Sequence, residues 1–160
     1  MLDQTRINWN KKHNIISKRD EEILRSRHIF DGLIALKFFP NEIKESMDMG
    51  SGCGFPILPL AIARPNIQFT GIEPRLKRIL IIKQFIRELK IPNITMIQGK
   101  AEDITHQKFS IITSRALGSF DEDFERCNPY MTSESNYITF KTENYVPTRS
   151  QECFEYQFTP

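Results

Sequence analysis

No apolar run in the chain approaches the roughly eighteen residues that a membrane-spanning helix needs. The longest candidates, Ile57–Ala63 and Ile79–Ile82, are interrupted within a few positions, so no membrane partner is expected. The first residues, Met1-Leu2-Asp3-Gln4-Thr5-Arg6, lack both the apolar stretch and the small-residue cleavage site of a secretory signal, which makes a cytoplasmic protein the expectation. Cysteine is scarce: Cys53, Cys127 and Cys153 are odd in number, widely spaced and without a CxxC pair. That pattern suits reduced thiols and neither a zinc ribbon nor a redox dithiol, so no metal is expected. Internal repeats and low-complexity tracts are also missing, and proline and glycine punctuate short apolar segments instead of forming linkers.

What is present is enough for one globular domain: 160 residues, 39% hydrophobic and 26% charged. The division expected is a single domain over 1–160, with an N-terminal helical segment at 1–45 and an α/β core at 46–160. The net charge of +2 hides an asymmetry, since residues 1–100 carry 17 Lys+Arg against 10 Asp+Glu and residues 101–160 carry 5 against 10. A basic first part either attracts a polyanion such as RNA or supplies solvated helix faces. From Asp20 to Pro40 the apolar residues Ile23, Leu24, Ile29 or Phe30, Leu33 and Leu36 fall at helical spacing, in two pieces. Strands are expected at Ser46–Met49, Gln68–Glu73, Ile94–Gln98, Phe109–Ser114 and Tyr137–Lys141. Helices are expected from Pro56 to before Pro65, at Arg75–Lys90 and at Asp121–Met131. Alternation of this kind implies a mostly parallel sheet with helices on both faces, which binds ligands at the carboxyl ends of its strands.

The sharpest feature is Asp48-Met49-Gly50-Ser51-Gly52-Cys53-Gly54-Phe55-Pro56, three alternate glycines between a strand and a helix. Glycines here permit positive φ and remove Cβ atoms that would hold a ligand off the backbone. A dinucleotide fingerprint fails because the sixth position from Gly50 is Phe55, and a P-loop fails because no Gly-Lys-Ser/Thr follows. An acid, one residue and Gly-x-Gly-x-Gly resembles motif I of the class I S-adenosylmethionine (SAM) methyltransferases, a Rossmann-like α/β fold. Glu73, 21 residues beyond Gly52 at the end of the second strand, is placed where a carboxylate could accept ribose hydroxyls.

Further stretches resemble the bacterial 16S rRNA guanine-N7 methyltransferase family, also called RsmG or glucose-inhibited division protein B. They are Trp9-Asn10-Lys11-Lys12, Arg27-His28-Ile29-Phe30-Asp31-Gly32-Leu33, Gly99-Lys100-Ala101-Glu102-Asp103, Thr113-Ser114-Arg115-Ala116, and the glycine turn continued through Phe55-Pro56 and Leu60-Ala61-Ile62-Ala63-Arg64-Pro65. The resemblance covers nearly all of residues 8–118. It implies SAM as the only cofactor and the small ribosomal subunit or its 16S rRNA as partner, with a monomer expected. It implies cofactor contacts from Gly50, Phe55, Ala101, Glu102 and Arg115; the wider methyltransferase motifs add Asp48, Gly52 and Glu73. Lys141, in Thr139-Phe140-Lys141-Thr142, resembles the family's lysine after the fifth strand and is a candidate RNA contact. Ile57 stands where the family usually has glycine. The pattern weakens after Phe120, and the last antiparallel strands are expected to be shortened or absent.

The residues suit N7 chemistry. Guanine N7 carries an in-plane lone pair that is unprotonated at neutral pH, so no base is needed, and alignment of nucleophile and methyl can supply about 7–11 kcal/mol of the barrier. No residue is assigned as an acid or base; Arg115 is the candidate for orienting guanine O6 or a phosphate. None of the cysteines follows a proline, as a cytosine-C5 enzyme would require. Asn128-Pro129-Tyr130 has one proline and comes too late for the Asn/Asp-Pro-Pro-aromatic turn of an exocyclic-amine enzyme, so it reads as a helix end. Cys53 reads as a small filler residue. For RNA, Lys11, Lys12 and Arg27 lie with Lys18, Arg19 and Arg25 near Trp9, which is either a stacking surface or a core anchor. His28 and Asp31 either line the pocket or form a helix-stabilising pair. The strip Arg75, Lys77, Arg78, Lys83, Arg87 is either an RNA-facing surface or the polar side of its helix. The rival readings are a class I methyltransferase acting on a small molecule or protein, and an inactive SAM- or RNA-binding module.

Overall fold

A computed structural model describes residues 28–100, 107–115 and 118–141. Its sheet has five strands, β1 (Glu45–Met49), β2 (Gln68–Glu73), β3 (Ile94–Gln98), β4 (Ile111–Arg115) and β5 (Asn136–Phe140), in the spatial order β3-β2-β1-β4-β5. Every pairing is parallel. The order reverses between β1 and β4, so the carboxyl end of β1 opens onto the crevice where doubly wound sheets bind their ligands. The glycine turn begins at that end.

The central strands bury both faces, as a parallel sheet covered by helices requires. β1 is buried from Ser46 to Met49 and β4 from Ile111 to Ser114. On one face lie α1 (Phe30–Ile34), α2 (Ile57–Ala63) and α3 (Leu76–Glu88), whose Ile57, Leu58, Leu60, Ile79, Ile82 and Phe85 pack against Phe69 and Ile111 in the larger core cluster. α3 turns Ile79, Ile82 and Phe85 inward at helical spacing and leaves Lys77, Lys83 and Arg87 exposed. Gly32 brings α1 close to α2: a Cβ there would lie 2.8 Å from Cγ of Pro59 and 3.3 Å from Cβ of Pro56.

The other face is covered by α4 (Phe120–Cys127) and the 3-10 turn Asn128–Tyr130, with Met47, Met49, Ile72, Ile112, Cys127 and Tyr130 in a smaller cluster. Ser119 begins α4 with a capping box: the Glu122 amide donates to its hydroxyl and the Ser119 amide donates to the Glu122 carboxylate, each at 3.3 Å. Asn93, buried before β3, donates from Nδ2 to the carbonyls of Ala61, Arg64 and Ile67 at 2.9–3.1 Å. This ties the end of α2 to the sheet.

Helix ends differ from the sequence expectation by one to four residues. Pro56 sits one position outside α2, which starts at Ile57. The expected Asp121–Met131 helix stops at Cys127, and Asn128–Tyr130 tightens into the 3-10 turn with proline in its first positions. Phe109, expected in β4, instead donates its amide to the Tyr130 carbonyl, 2.9 Å away. The first of the two helical pieces expected between Asp20 and Pro40, and the chain after Lys141 where shortened strands are expected, lie outside the described residues. No helix among those described is long and apolar enough to cross a membrane.

Candidate active site

Gly50, Gly52 and Gly54 all have positive φ, at 70°, 54° and 89°. Only glycine adopts that alternation cheaply, so the turn needs all three for its backbone path. Buried Ser51 locks the path: its amide donates to the Ile72 carbonyl at 2.9 Å and its hydroxyl to the Asp48 carbonyl at 3.2 Å, while its own carbonyl accepts from Gly54 at 2.7 Å. Gly71 of β2 makes the room, since a Cβ there would fall 2.7 Å from the Ser51 hydroxyl. A glycine inside a strand is the sequence sign of such close approach. A Cβ built on Gly52 would sit at ordinary contact distance from Gly50 O, at 3.6 Å, and from an Arg78 guanidinium nitrogen, at 3.9 Å.

Two buried carboxylates border this turn. The Glu73 side chain accepts from the Gly52 amide at 2.9 Å and the Arg75 amide at 3.0 Å, and the Arg78 guanidinium stands 3.6 Å away. Asp48 is 1% exposed. Its Oδ1 accepts from the Thr113 hydroxyl at 2.7 Å, while Oδ2 has no hydrogen-bond partner among the described residues. Burial pushes the Asp48 carboxyl up from 3.8 to about 6; the Thr113 and Ser51 hydroxyls and the Arg115 charge pull it part of the way back, and the Glu73 charge adds to the rise. An orphaned acceptor beside a second acid favours a cationic or donor-bearing ligand. SAM, with its ammonium, sulfonium and ribose hydroxyls, has that chemistry: Asp48 would face the cation, Glu73 the hydroxyls and Gly52 the close approach.

Arg115 ends β4 at the same carboxyl edge. Its guanidinium carbon lies 5.6 Å from the centroid of the Phe55 ring, and one terminal nitrogen is 2.7 Å from His28 Nδ1. The His28 ring stacks on Phe55 at 5.4 Å. The structure thus joins His28, Phe55 and Arg115, a grouping that sequence spacing did not reveal because His28 and Arg115 are 87 positions apart. Thr113 as the partner of Asp48 was likewise not visible beforehand.

Cys53 is half-buried in the turn. Cys127 is buried in the smaller core, where desolvation and then the Asp123 and Asp48 charges push its thiol up to about 12. Lys141 is engaged within the chain, donating to the Gly118 carbonyl at 2.7 Å and to buried Asp123 at 3.2 Å. Asp123 also accepts from the Gly118 amide at 3.1 Å and from Arg126 at 3.2 Å. Ala101, Glu102, Lys11, Lys12 and Arg27 lie outside the described residues.

A family model described as "GidB: rRNA small subunit methyltransferase G" matches residues 3–159. The chain belongs to this family. A relative named ribosomal RNA small subunit methyltransferase G, from Haemophilus ducreyi, is 35% identical over 133 residues, which are 83% of this chain and 64% of the relative. Its namesake from Helicobacter pylori is 32% identical over 155 residues, 94% of this chain and 86% of that protein. The chain therefore spans less than two thirds of the first relative's length and most of the second's. In fold it resembles the O-methyltransferase of a Brevibacillus brevis trans-AT PKS multienzyme, solved with S-adenosyl-L-homocysteine, at a TM-score of 0.62 and 12% identity, over 81% of this chain and 44% of that one. The fold of this member of the methyltransferase G family is that of the class I SAM-dependent methyltransferases.

Proposed function

We propose that this chain methylates N7 of a specific guanine in the 16S rRNA of the small ribosomal subunit, with SAM as methyl donor, as an enzyme of the cytoplasm. The observation that carries the reading is that Asp48, whose Oδ2 has no partner among the described residues, and Glu73 both border a glycine turn of positive φ, in a chain of the methyltransferase G family. When bound, SAM supplies an electrophilic methyl on a sulfonium. Asp48 holds the cationic end of the cofactor, Glu73 the ribose, and the Gly50–Gly54 backbone allows both to be reached. Ala101 and Glu102 follow β3 and complete the cofactor contacts by resemblance to the family.

Arg115 orients the substrate. Its planar fork suits guanine O6 or a phosphate and cannot serve as a base. None is required, because N7 is already unprotonated, and the residues contribute chiefly by alignment. RNA is drawn in by the basic first part, with Lys11, Lys12 and Arg27 as candidate contacts.

Labelled-methyl transfer from SAM, with small subunits, free 16S rRNA and bulk protein as alternative acceptors, tests the reading. Label is expected in the rRNA. Label in protein or small molecules alone would overturn the substrate assignment, and salt-sensitive RNA binding without any transfer would favour a binding module. The site assignment has its own test: Gly52→Val, which places a branched side chain at a φ of 54° in the glycine turn, should abolish SAM binding by calorimetry in a protein that still melts cooperatively. Unchanged affinity would contradict it.

A further inference from the structure

His28 lies just before α1 and reaches Arg115 across the face of Phe55. A guanidinium has no acceptor, so the His28 nitrogen 2.7 Å from it must carry the lone pair, which leaves the ring proton on Nε2. Both partners use the same support: the His28 ring is stacked at 26° to the Phe55 ring, and the Arg115 guanidinium lies over that ring. Phe55 itself is 4% exposed and set in the larger core, so the support is rigid. Arginine brings a flexible stem, and a directional acceptor on a fixed platform selects one orientation from many.

That orientation matters because of what lies nearby. The Arg115 charge is felt by Asp48, and Asp48 in turn feels Glu73. Arg115 ends β4 at the carboxyl edge where the proposed cofactor binds, so the orientation of its guanidinium sets what that edge offers a ligand. We propose that His28 is a positioning residue whose Nδ1 holds the Arg115 guanidinium over the Phe55 ring at the carboxyl end of β4. This role rests on the cofactor reading given above.

The test is calorimetric binding of S-adenosylhomocysteine to the full chain and to four variants: His28→Phe, His28→Asn, Arg115→Ala and the His28→Phe/Arg115→Ala double. Phenylalanine keeps a ring on Phe55 and removes the acceptor; asparagine keeps an acceptor oxygen near the place of Nδ1. His28→Phe should weaken binding about tenfold, the scale of a hydrogen bond to a charged group, and His28→Asn should recover most of it. The double variant should bind no more weakly than Arg115→Ala alone, because His28 acts only through Arg115. Equal losses in the two single His28 variants, or additive losses in the double, would show a packing role and overturn the proposal. No binding by the unmodified chain would instead overturn the cofactor reading, and the role of His28 with it. A readout independent of ligand and of variant folding is the ¹⁵N spectrum of the His28 ring: a protonated Nε2 with a bare Nδ1 is expected, and protonation at Nδ1 would overturn the contact.

Discussion

Asp48 shows how a single residue connects stability to ligand binding. Its carboxyl rises from 3.8 to about 6 on folding, so the folded chain holds that proton more tightly than the unfolded chain does. The stabilising contribution is complete below about pH 4 and is lost as pH rises through about 6; above that, the ionised group costs about 3 kcal/mol. Asp48→Asn keeps an oxygen for the Thr113 hydroxyl and removes the charge. Chemical denaturation should therefore find the variant more stable than the parent by up to about 3 kcal/mol at pH 7.5, with the difference shrinking toward pH 4, while its affinity for SAM falls. A pH-independent difference would mean that Asp48 is not the buried ionisable group described. The sequence marked this residue as part of a motif, but its protonation depends on Thr113, Glu73 and Arg115, which only the assembled sheet brings near.

Among the elements, α3 has the clearest exposed defect. It ends with Lys90 at a φ of 52°, where the Ile91 amide donates to the Ile86 carbonyl at 2.9 Å. A side chain in this left-handed position costs about 1 kcal/mol relative to glycine. Lys90→Gly should accordingly raise stability by about 1 kcal/mol in a denaturant titration; a loss would show that the Lys90 side chain makes a compensating contact. On the other face, Lys141 joins the end of β5 to the start of α4 through Asp123 and Gly118. Lys141→Met should cost about 2 kcal/mol, below the about 3–5 kcal/mol of a buried pair left wholly uncompensated, because Arg126 and the Gly118 amide stay on Asp123. A melting temperature unchanged from the parent would contradict that latch. Element positions were legible because burial here is periodic: Ile79, Ile82 and Phe85 mark α3. Exact ends were less so, since they depend on tertiary bonds such as the one from Phe109 to Tyr130.

At the scale of the whole molecule, parallel topology could be read from alternating strands and helices, and the Asp48, Gly52 and Glu73 corner from one local motif and one acid at a strand end. The corner formed by His28, Phe55 and Arg115 could not be read as a unit. Its members come from three separate elements, and only the reversal of strand order between β1 and β4 brings them to one crevice. The spacing of His28 and Asp31 left two readings of that helical face open; the structure turns His28 toward Arg115 at the end of β4. The basic first hundred residues and the acidic remainder give the charge asymmetry on which the proposed RNA substrate would draw. The most direct measurement of the central claim is labelled-methyl transfer to small subunits from a strain lacking this protein, followed by chemical cleavage at N7-methylguanine. One cleavage site in 16S rRNA, lost with Gly52→Val, is the expected result; methylated rRNA that resists cleavage at guanine would contradict the assigned atom, and unmethylated rRNA beside methylated protein would contradict the assigned substrate.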